Sequence, residues 1–332
     1  MVAVVILNYN GRAFLDKFLP LAIAHSVGHQ IYVADNASTD DSVAFLKKHY
    51  PAVGLIQLSE NTGYAGGYNR ALAQVEAQYY VLLNSDVAVS HRWIEPMRAL
   101  MDENPQIAAC QPKILDYNDP KKFEYAGAAG GFLDQLGYAY CQGRIFDTVE
   151  ADQGQYQRDR PIHWATGACM FVRADAFKNA GGFDEQYFAH YEEIDLCWRL
   201  RNAGHQVWYC AASAVYHVGG GTLHKSNPQK TFLNFRNNLL TIYKNESALR
   251  AALVVAARLI LDGLAGVQLF FKGQFAEVWA IIRAHFAFYG MVAGAWGRAQ
   301  KRGATAQNLP PKKIRSVVFQ YFVLKRKYFL GL

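Results

Sequence analysis

Between residues 2 and 84 of the 332-residue chain, short apolar runs alternate with stretches whose apolar positions recur every three or four residues. Short apolar runs read as buried strands, and the 3.6-residue period reads as amphipathic helix. The pattern predicts strands over 2–8, 30–34, 53–58 and 79–83, with helices over 12–25, 40–49 and 65–76 between them. Continuous apolar strands joined through helices predict an α/β fold with a parallel sheet covered on both faces. Ligands of such sheets sit beyond the carboxyl ends of the strands. Each predicted strand ends in polar residues: Asn8-Tyr9-Asn10, Asp35-Asn36, Ser59-Glu60-Asn61 and Asn84-Ser85-Asp86.

The pattern changes further along. Residues 116–160, rich in Gly, Tyr, Asp and Gln, show no period and read as irregular insertions near an acceptor side. A strand over 168–173, a short helix over 175–180, a helix from about 192 and a strand over 207–211 follow, and then the chain becomes helical. In the helix over 248–272, Arg250, Arg258, Asp262, Gln268 and Lys272 fall within one arc of about 120° and the rest is apolar. Charges at a bilayer centre cost about 2.5–3.5 kcal/mol each on insertion scales, so this helix is expected to lie in a membrane interface rather than to span. Packing on the catalytic domain, or against a second copy in a homodimer, is the alternative. The segment 275–297, with Trp279, Phe286, Phe288, Tyr289 and Trp296, has the aromatic content of an interfacial helix.

Charge sharpens that picture. The net +7 comes from the tail, since ten Lys and Arg follow Glu277 and no acid does. Arg298, Lys301, Arg302, Lys312, Lys313, Arg315 and Lys325-Arg326-Lys327, interleaved with aromatics, suit anionic lipid heads; nucleic acid is the competing anionic partner. A hydrophobic share of 52% belongs to a folded chain, with apolar surface to spare. The five cysteines are far apart and form no C-x-x-C, which favours reduced thiols and the cytoplasm. The apolar run 2–7 has no basic leader and reads as a first strand, not a signal peptide.

Several segments could hold chemistry, each with a bland counterpart. Asp35 ends a strand and could accept hydrogen bonds from a base or ribose, while Ser38 to Asp41 read as a helix cap. Gly63, Gly66 and Gly67 with Arg70 could cradle a phosphate, or could let a helix pack closely on a strand. Neither G-x-G-x-x-G nor G-x-x-x-x-G-K-[ST] is present, and the first strand turn has the single Gly11, which excludes a nicotinamide fingerprint. Asn84-Ser85-Asp86 is either a turn or a place where one carboxylate meets a divalent cation. Glu192 and Glu193 beside aromatics are a candidate general base or an acidic first helical turn, and Asp195 with Arg199 forms an i,i+4 pair of surface type. His217, before Gly219-Gly220-Gly221, is structural or a metal ligand.

In order along residues 2 to about 245, Val5-Ile6-Leu7-Asn8-Tyr9-Asn10, Asp35-Asn36-Ala37-Ser38-Thr39-Asp40, Asn61-Thr62-Gly63-Tyr64-Ala65-Gly66-Gly67 and Leu83-Asn84-Ser85-Asp86 resemble the family 2 glycosyltransferases of GT-A fold. Thr166-Gly167-Ala168, Gly182-Phe183-Asp184-Glu185, Glu192-Glu193-Ile194-Asp195-Leu196 and His217 extend the likeness toward the bacterial rhamnosyltransferase-like and galactofuranosyltransferase-like members. The resemblance implies a GT-A catalytic domain over 1–245; the helical, basic region over 246–332 lies outside it and is expected to associate with a membrane from its own residues. It implies an inverting transfer of sugar from a nucleotide-diphosphate donor, dTDP-rhamnose or a UDP-sugar, to a glycan or lipid-linked acceptor at the inner face of the cytoplasmic membrane. The donor would meet Asn8, Asn10, Asp35, Asn61, Gly66, Gly67, Arg70, Asn84, Ser85 and Asp86. Asp86 and His217 would hold Mn²⁺ or Mg²⁺, Glu193 beside Glu192 would be the base, and Trp164, Thr166, Gly167, Asp184 and Asp195 would line the acceptor side. Asn84 stands at the first D-x-D position and Glu193 where the family often has Asp. A non-catalytic nucleotide-sugar or nucleic-acid binding protein is the competing class; the reading adopted has no nucleic-acid partner.

Overall fold

A computed structural model describes residues 1–219, 227–295 and 314–332. The first seven elements alternate as the apolar pattern predicts: β1 (Val2–Asn8), α1 (Arg12–His25), β2 (Gln30–Asp35), α2 (Ser42–His49), β3 (Gly54–Gln57), α3 (Gly63–Leu72) and β4 (Tyr79–Asn84). There follow β5 (Val87–Val89), α4 (Ile94–Glu103) and β6 (Ile107–Asp116). The aperiodic stretch contains a small sheet of β7 (Gly131–Leu133), β8 (Ala139–Cys141), β9 (Arg144–Ile145) and β10 (Thr148–Val149). Strands of two or three residues are too short to leave a period, which is why that region reads as irregular. Next come β11 (Arg160–Pro161), β12 (Cys169–Arg173), α5 (Ala174–Asn179), α6 (Glu192–Asn202) and β13 (Gln206–His217). The helices α7 (Pro228–Asn245), α8 (Ala248–Phe271) and α9 (Phe275–Ala295) follow.

The main sheet runs β11-β13-β6-β12-β4-β1-β2-β3, with β5 on β13. It is parallel across β4, β1, β2 and β3 and again between β6 and β13, while β12 lies antiparallel between β4 and β6. The polar ends of β1, β2, β3 and β4 therefore lie along one edge. One sheet face packs under α1, α2 and α4 and the other under α3, α5, α6 and the small sheet, so both faces are dry. All five cysteines are free and buried. β13 extends beyond the predicted strand 207–211 because a register shift between Cys210 and Ala214 breaks the alternation at Ala211-Ala212-Ser213. Its continuation delivers His217 opposite Val87 of β5.

The C-terminal part differs from a simple interfacial helix. The middle of the polar arc of α8 faces the protein: Arg258 and Asp262 are buried, Arg258 Nε lies 3.1 Å from Asp262 Oδ1, and His285 Nε2 of α9 lies 3.2 Å from Asp262 Oδ2. Tyr138, in the loop between β7 and β8, donates its hydroxyl to Asp262 at 3.2 Å and lies under the Arg258 guanidinium at 3.8 Å. Arg258 also donates to Asn238 of α7. Residues 314–332 then return to the small sheet, where Val317 N donates to Asp134 Oδ2 at 2.8 Å and Phe329 packs on Phe132. Burial holds the Asp134 carboxyl up at about 6 despite three backbone donors. Trp296, Arg298, Lys301, Arg302, Lys312, Lys313, Gly220 and Gly221 lie outside the described residues.

Candidate active site

Two chain segments meet at the end of β4. Asp86 follows the strand, Val218 N donates to Asp86 O at 3.1 Å, and the β5–β13 pairing puts His217 beside Val87. Asp86 Oδ1 consequently lies 3.1 Å from His217 Nε2, with both side chains nearly buried. On the other ring nitrogen, Nδ1 lies 3.2 Å from Glu124 Oε2, close enough for an ion pair although poorly aligned for a hydrogen bond. Burial alone would lower the His217 pKa, but Asp86 and Glu124 outweigh it and push it up to about 10.

Asp86 and His217 could hold a divalent cation. Cis donors about 2.1 Å from an octahedral ion are about 3.0 Å apart, close to the separation present here. Binding would need the Nε2 proton to leave, and a proton kept on Nδ1 toward Glu124 would fix the ring, as carboxylates behind metal-bound histidines do. This is a pair rather than a cage: among the described residues, no group of three or more His, Cys, Asp or Glu side chains is arranged to hold an ion. Donor phosphates would have to complete the shell. Glu124 lies in the aperiodic segment between β6 and β7, and no sequence signal marks it.

The remaining strand-end residues knit the cleft floor. Asn8 Nδ2 donates to Asp35 Oδ2 at 3.0 Å and to Ser38 Oγ at 3.2 Å, while Ser38 N donates to Asp35 Oδ1 at 2.9 Å. Asp35 is thus buried and engaged within its own turn. Asn10 Oδ1 accepts from Thr39 N, and Asn61 Oδ1 accepts from Asn36 Nδ2 and Gly63 N. Asn84 N donates to Ala168 O, and Ser85 Oγ lies beside Gly11. A Cβ on Gly67 would lie 2.9 Å from Leu7 Cδ1, and one on Gly66 would lie 2.6 Å from an Arg70 guanidinium nitrogen. Gly67 serves the close seating of α3 on β1, while Gly66 leaves room for Thr62 and Arg70 of its own segment. Arg70 sits in the last turn of α3, not at the N-terminus, and pairs with Glu60 and Glu185.

Glu192 and Glu193 open α6, Glu192 buried and Glu193 partly open. Burial raises both pKa values, and the charge of Glu193 raises Glu192 further. One oxygen of each has no hydrogen-bond partner. The turn before them is strained, with positive φ at Phe188, His190 and Tyr191, conformations that cost on the order of 1–3 kcal/mol each and gather at functional sites. Asn237 of α7, fully buried, holds that turn by reaching the carbonyls of Tyr187, Ala189 and His190 at 3.1, 2.9 and 2.7 Å. Phe188 O in turn accepts from Tyr64 N at the start of α3. The glutamates are thus braced against the donor-side helix. Arg144, buried on β9, feels the charge of Glu124, and Cys141 beside it feels both Glu124 and Glu193.

Several acceptor-side expectations need correction. Asp195 is fully buried, and its carboxylate meets Arg199, Lys244, Asn245 and Tyr187, so its pair with Arg199 is a core contact and not a surface one. Burial would raise its pKa, but Arg199 and Lys244 hold it below the ordinary value. Asp184 also binds Lys244, at 2.6 Å, and caps a turn through Gln186 N. Asp195 ties α6 to α7, and Asp184 ties the turn before α6 to α7. Trp164 is a core residue that donates to Phe132 O and fills the space over Gly131. Thr166 is buried under Gly127, while Gly167 O accepts from Tyr64 OH at 2.7 Å beside the cleft.

Comparison with known proteins bears on the family and the fold. The model of glycosyl transferase family 2 matches residues 3–181. The N-acetylglucosaminyl-diphospho-decaprenol L-rhamnosyltransferase of Mycobacterium tuberculosis is 29% identical over 236 residues, 65% of this chain and 76% of its own. Rhamnosyltransferase WbbL of Escherichia coli is 26% identical over 234 residues, 65% of this chain and 83% of its own. Among solved structures, GalNAc-T7 with UDP, GalNAc and Mn²⁺ superposes with a TM-score of 0.58 at 14% identity, covering 75% of this chain and 48% of that one. Residues 1–349 of S. aureus TarS with UDP-GlcNAc give 0.55 at 14% identity, covering 85% and 81%. At such identities the structures speak for the fold, which is GT-A. The chain belongs to glycosyl transferase family 2 and is a glycosyltransferase.

Proposed function

We propose that this enzyme transfers a sugar, with inversion, from a nucleotide-diphosphate donor to a hydroxyl of a lipid-linked glycan at the inner face of the cytoplasmic membrane. The rhamnosyltransferase relatives make dTDP-rhamnose the first donor to try, with UDP-sugars second. The decaprenol-linked relative supports a lipid-linked acceptor. The observation that carries the reading is the junction of Asp86 with His217, about 130 residues apart in sequence and 3.1 Å apart in space, in a sheet whose other strand ends are polar.

Glu193 would take the proton of the acceptor hydroxyl while that oxygen attacks the anomeric carbon from the face opposite the diphosphate. Its raised pKa suits a base that works near neutrality, and Glu192 beside it keeps the pair from ionising fully. Asp86 and His217 would hold Mn²⁺ or Mg²⁺, whose charge neutralises the departing diphosphate. Mn²⁺ bound to a related fold supports this choice. Glu124 would keep the His217 ring in place.

The experiment is a donor screen with purified protein and Mn²⁺ against dTDP-, UDP- and GDP-sugars, read by donor hydrolysis and thermal shift. A dTDP- or UDP-sugar should respond, and chelation should remove the response. No response to any donor, with Asp86→Ala and Glu193→Gln indistinguishable from wild type, would overturn the assignment.

A further inference from the structure

α8 is built inside out. Its buried positions are Ala251, Val254, Arg258, Asp262 and Gly266, so both central charges face the protein. Its exposed positions run along the opposite side, where Leu253, Leu259, Ile260, Leu264, Val267 and Phe271 are all more than half exposed. Between Arg250 and Lys272 that side presents no charge and the single polar Gln268. At about 1.5 Å per residue the stripe belongs to a helix about 36 Å long. α9, joined through Lys272-Gly273-Gln274, exposes Phe275, Trp279, Ile282 and Phe286 in the same manner.

A second exposed apolar stretch follows near the C-terminus, where Phe322, Val323, Leu324, Tyr328 and Leu330 surround the exposed Lys325-Arg326-Lys327. Both regions are anchored on one loop, residues 134–138. Asp134 holds Val317 and Gln135 N donates to Ile314 O; at the other end Tyr138 meets Arg258 and Asp262, and Arg250 reaches Gln135 O. The hairpin and the start of the basic C-terminal stretch are thus anchored on the same loop of the small sheet.

We infer that these two regions form one lipid-binding face that seats the enzyme in an anionic bilayer leaflet without spanning it. It deepens the proposed function, from which it takes the membrane-held acceptor. Two features of the surface favour lipid over a second copy. The exposed side of α8 carries no charge between Arg250 and Lys272 and has cations at its two ends, the arrangement of a segment lying at the boundary between acyl chains and anionic head groups. A two-fold contact of this face would also bring together two copies of Lys325-Arg326-Lys327, whereas anionic head groups complement that charge. Trp279 and Tyr289 are the residue types that settle at head-group depth. Spanning is excluded by the tether, since Arg258 and Asp262 are bound to α7, α9 and the 134–138 loop.

The test uses the full chain with vesicles of phosphatidylglycerol and phosphatidylethanolamine, compared with phosphatidylcholine alone. Wild type should partition onto the anionic vesicles, and Ile260→Asp with Leu264→Asp should weaken partition by about tenfold or more. Both side chains are exposed, so melting and donor hydrolysis without vesicles should be unchanged. Brominated lipid should quench tryptophan fluorescence, and Trp279→Phe should remove most of that quenching. No partition of wild type, or a solution dimer that the double substitution dissociates, would overturn the inference. Partition without hydrolysis of any donor would uphold the face and sink the proposed function, so the two fail separately.

Discussion

β1 and α8 solve opposite problems with similar residues. In β1, Val2 to Ile6 are at most 3% exposed, and the polar Asn8 waits at the strand end. In α8, Ile260 is 68% exposed and Leu264 61%, while Arg258 and Asp262 are at 2% and 1%. The sheet hides apolar surface from water and presents polar groups to the cleft. The hairpin hides its charges and presents apolar groups to the outside. A lipid-facing hairpin accounts for that inversion: a buried charge is tolerable only when paired, and a large exposed apolar patch marks a surface that meets a partner or a membrane. Polar residues mark the working surface in one region and the fastening in the other.

The sharpest way to test the catalytic side is Glu193→Gln. Removing a general base should cut transfer by about 10²–10⁴-fold with donor binding kept, read by steady-state rates and donor thermal shift. In wild type, the raised pKa means that activity should rise with pH through the neutral range. Stability runs the other way. A carboxyl whose folded pKa is raised favours folding below its ordinary value of 4.5 and loses that contribution as pH climbs through the raised one. The Gln variant should therefore melt near wild type at pH 4 and above it at pH 8. Equal melting at both, with activity retained, would remove Glu193 from the site.

The fastening side is tested by Asp262→Ala. Arg258 and His285 would be left facing each other without their carboxylate, a kind of loss that costs about 3–5 kcal/mol. Denaturant unfolding reads it directly. Arg258→Met with Asp262→Leu removes both charges and should restore much of the stability, because an apolar pair of similar volume needs no partner. If Asp262→Ala were silent, the charges would not be fastening the hairpin.

How much of this was legible in the chain depends on element length and on what the residues face. The βα alternation over 2–84 was plain because its strands are continuous apolar runs. The small sheet was not, since β9 and β10 have two residues each. Asp86 and His217 stood out by position and resemblance, but Glu124 had no pattern around it and became visible only once β6 and β13 lay parallel. The burial of Asp195 and Trp164 was not legible either, because acidic and aromatic residues near a motif look alike whether they face a cleft or a core. The polar arc of α8 was correctly located, yet its direction was not, because amphipathicity gives two faces without saying which medium each meets.

The smallest expected effect separates the two regions most cleanly. Leu82→Ala, fully buried in β4, should cost about 2–5 kcal/mol through lost burial and the cavity it leaves. Leu264→Ala makes the same chemical change on a helix in the same chain, and in water it should stay within about 0.5 kcal/mol. Paired unfolding curves compare them without reference to any ligand. Added anionic vesicles should then change the order of importance: wild type should gain stability from them, and Leu264→Ala should gain less, since a ligand that binds only the folded state stabilises in proportion to its affinity. A cost at Leu264 as large as at Leu82 in vesicle-free buffer would mean that the stripe is already covered by protein, and the contrast between sheet and hairpin would collapse.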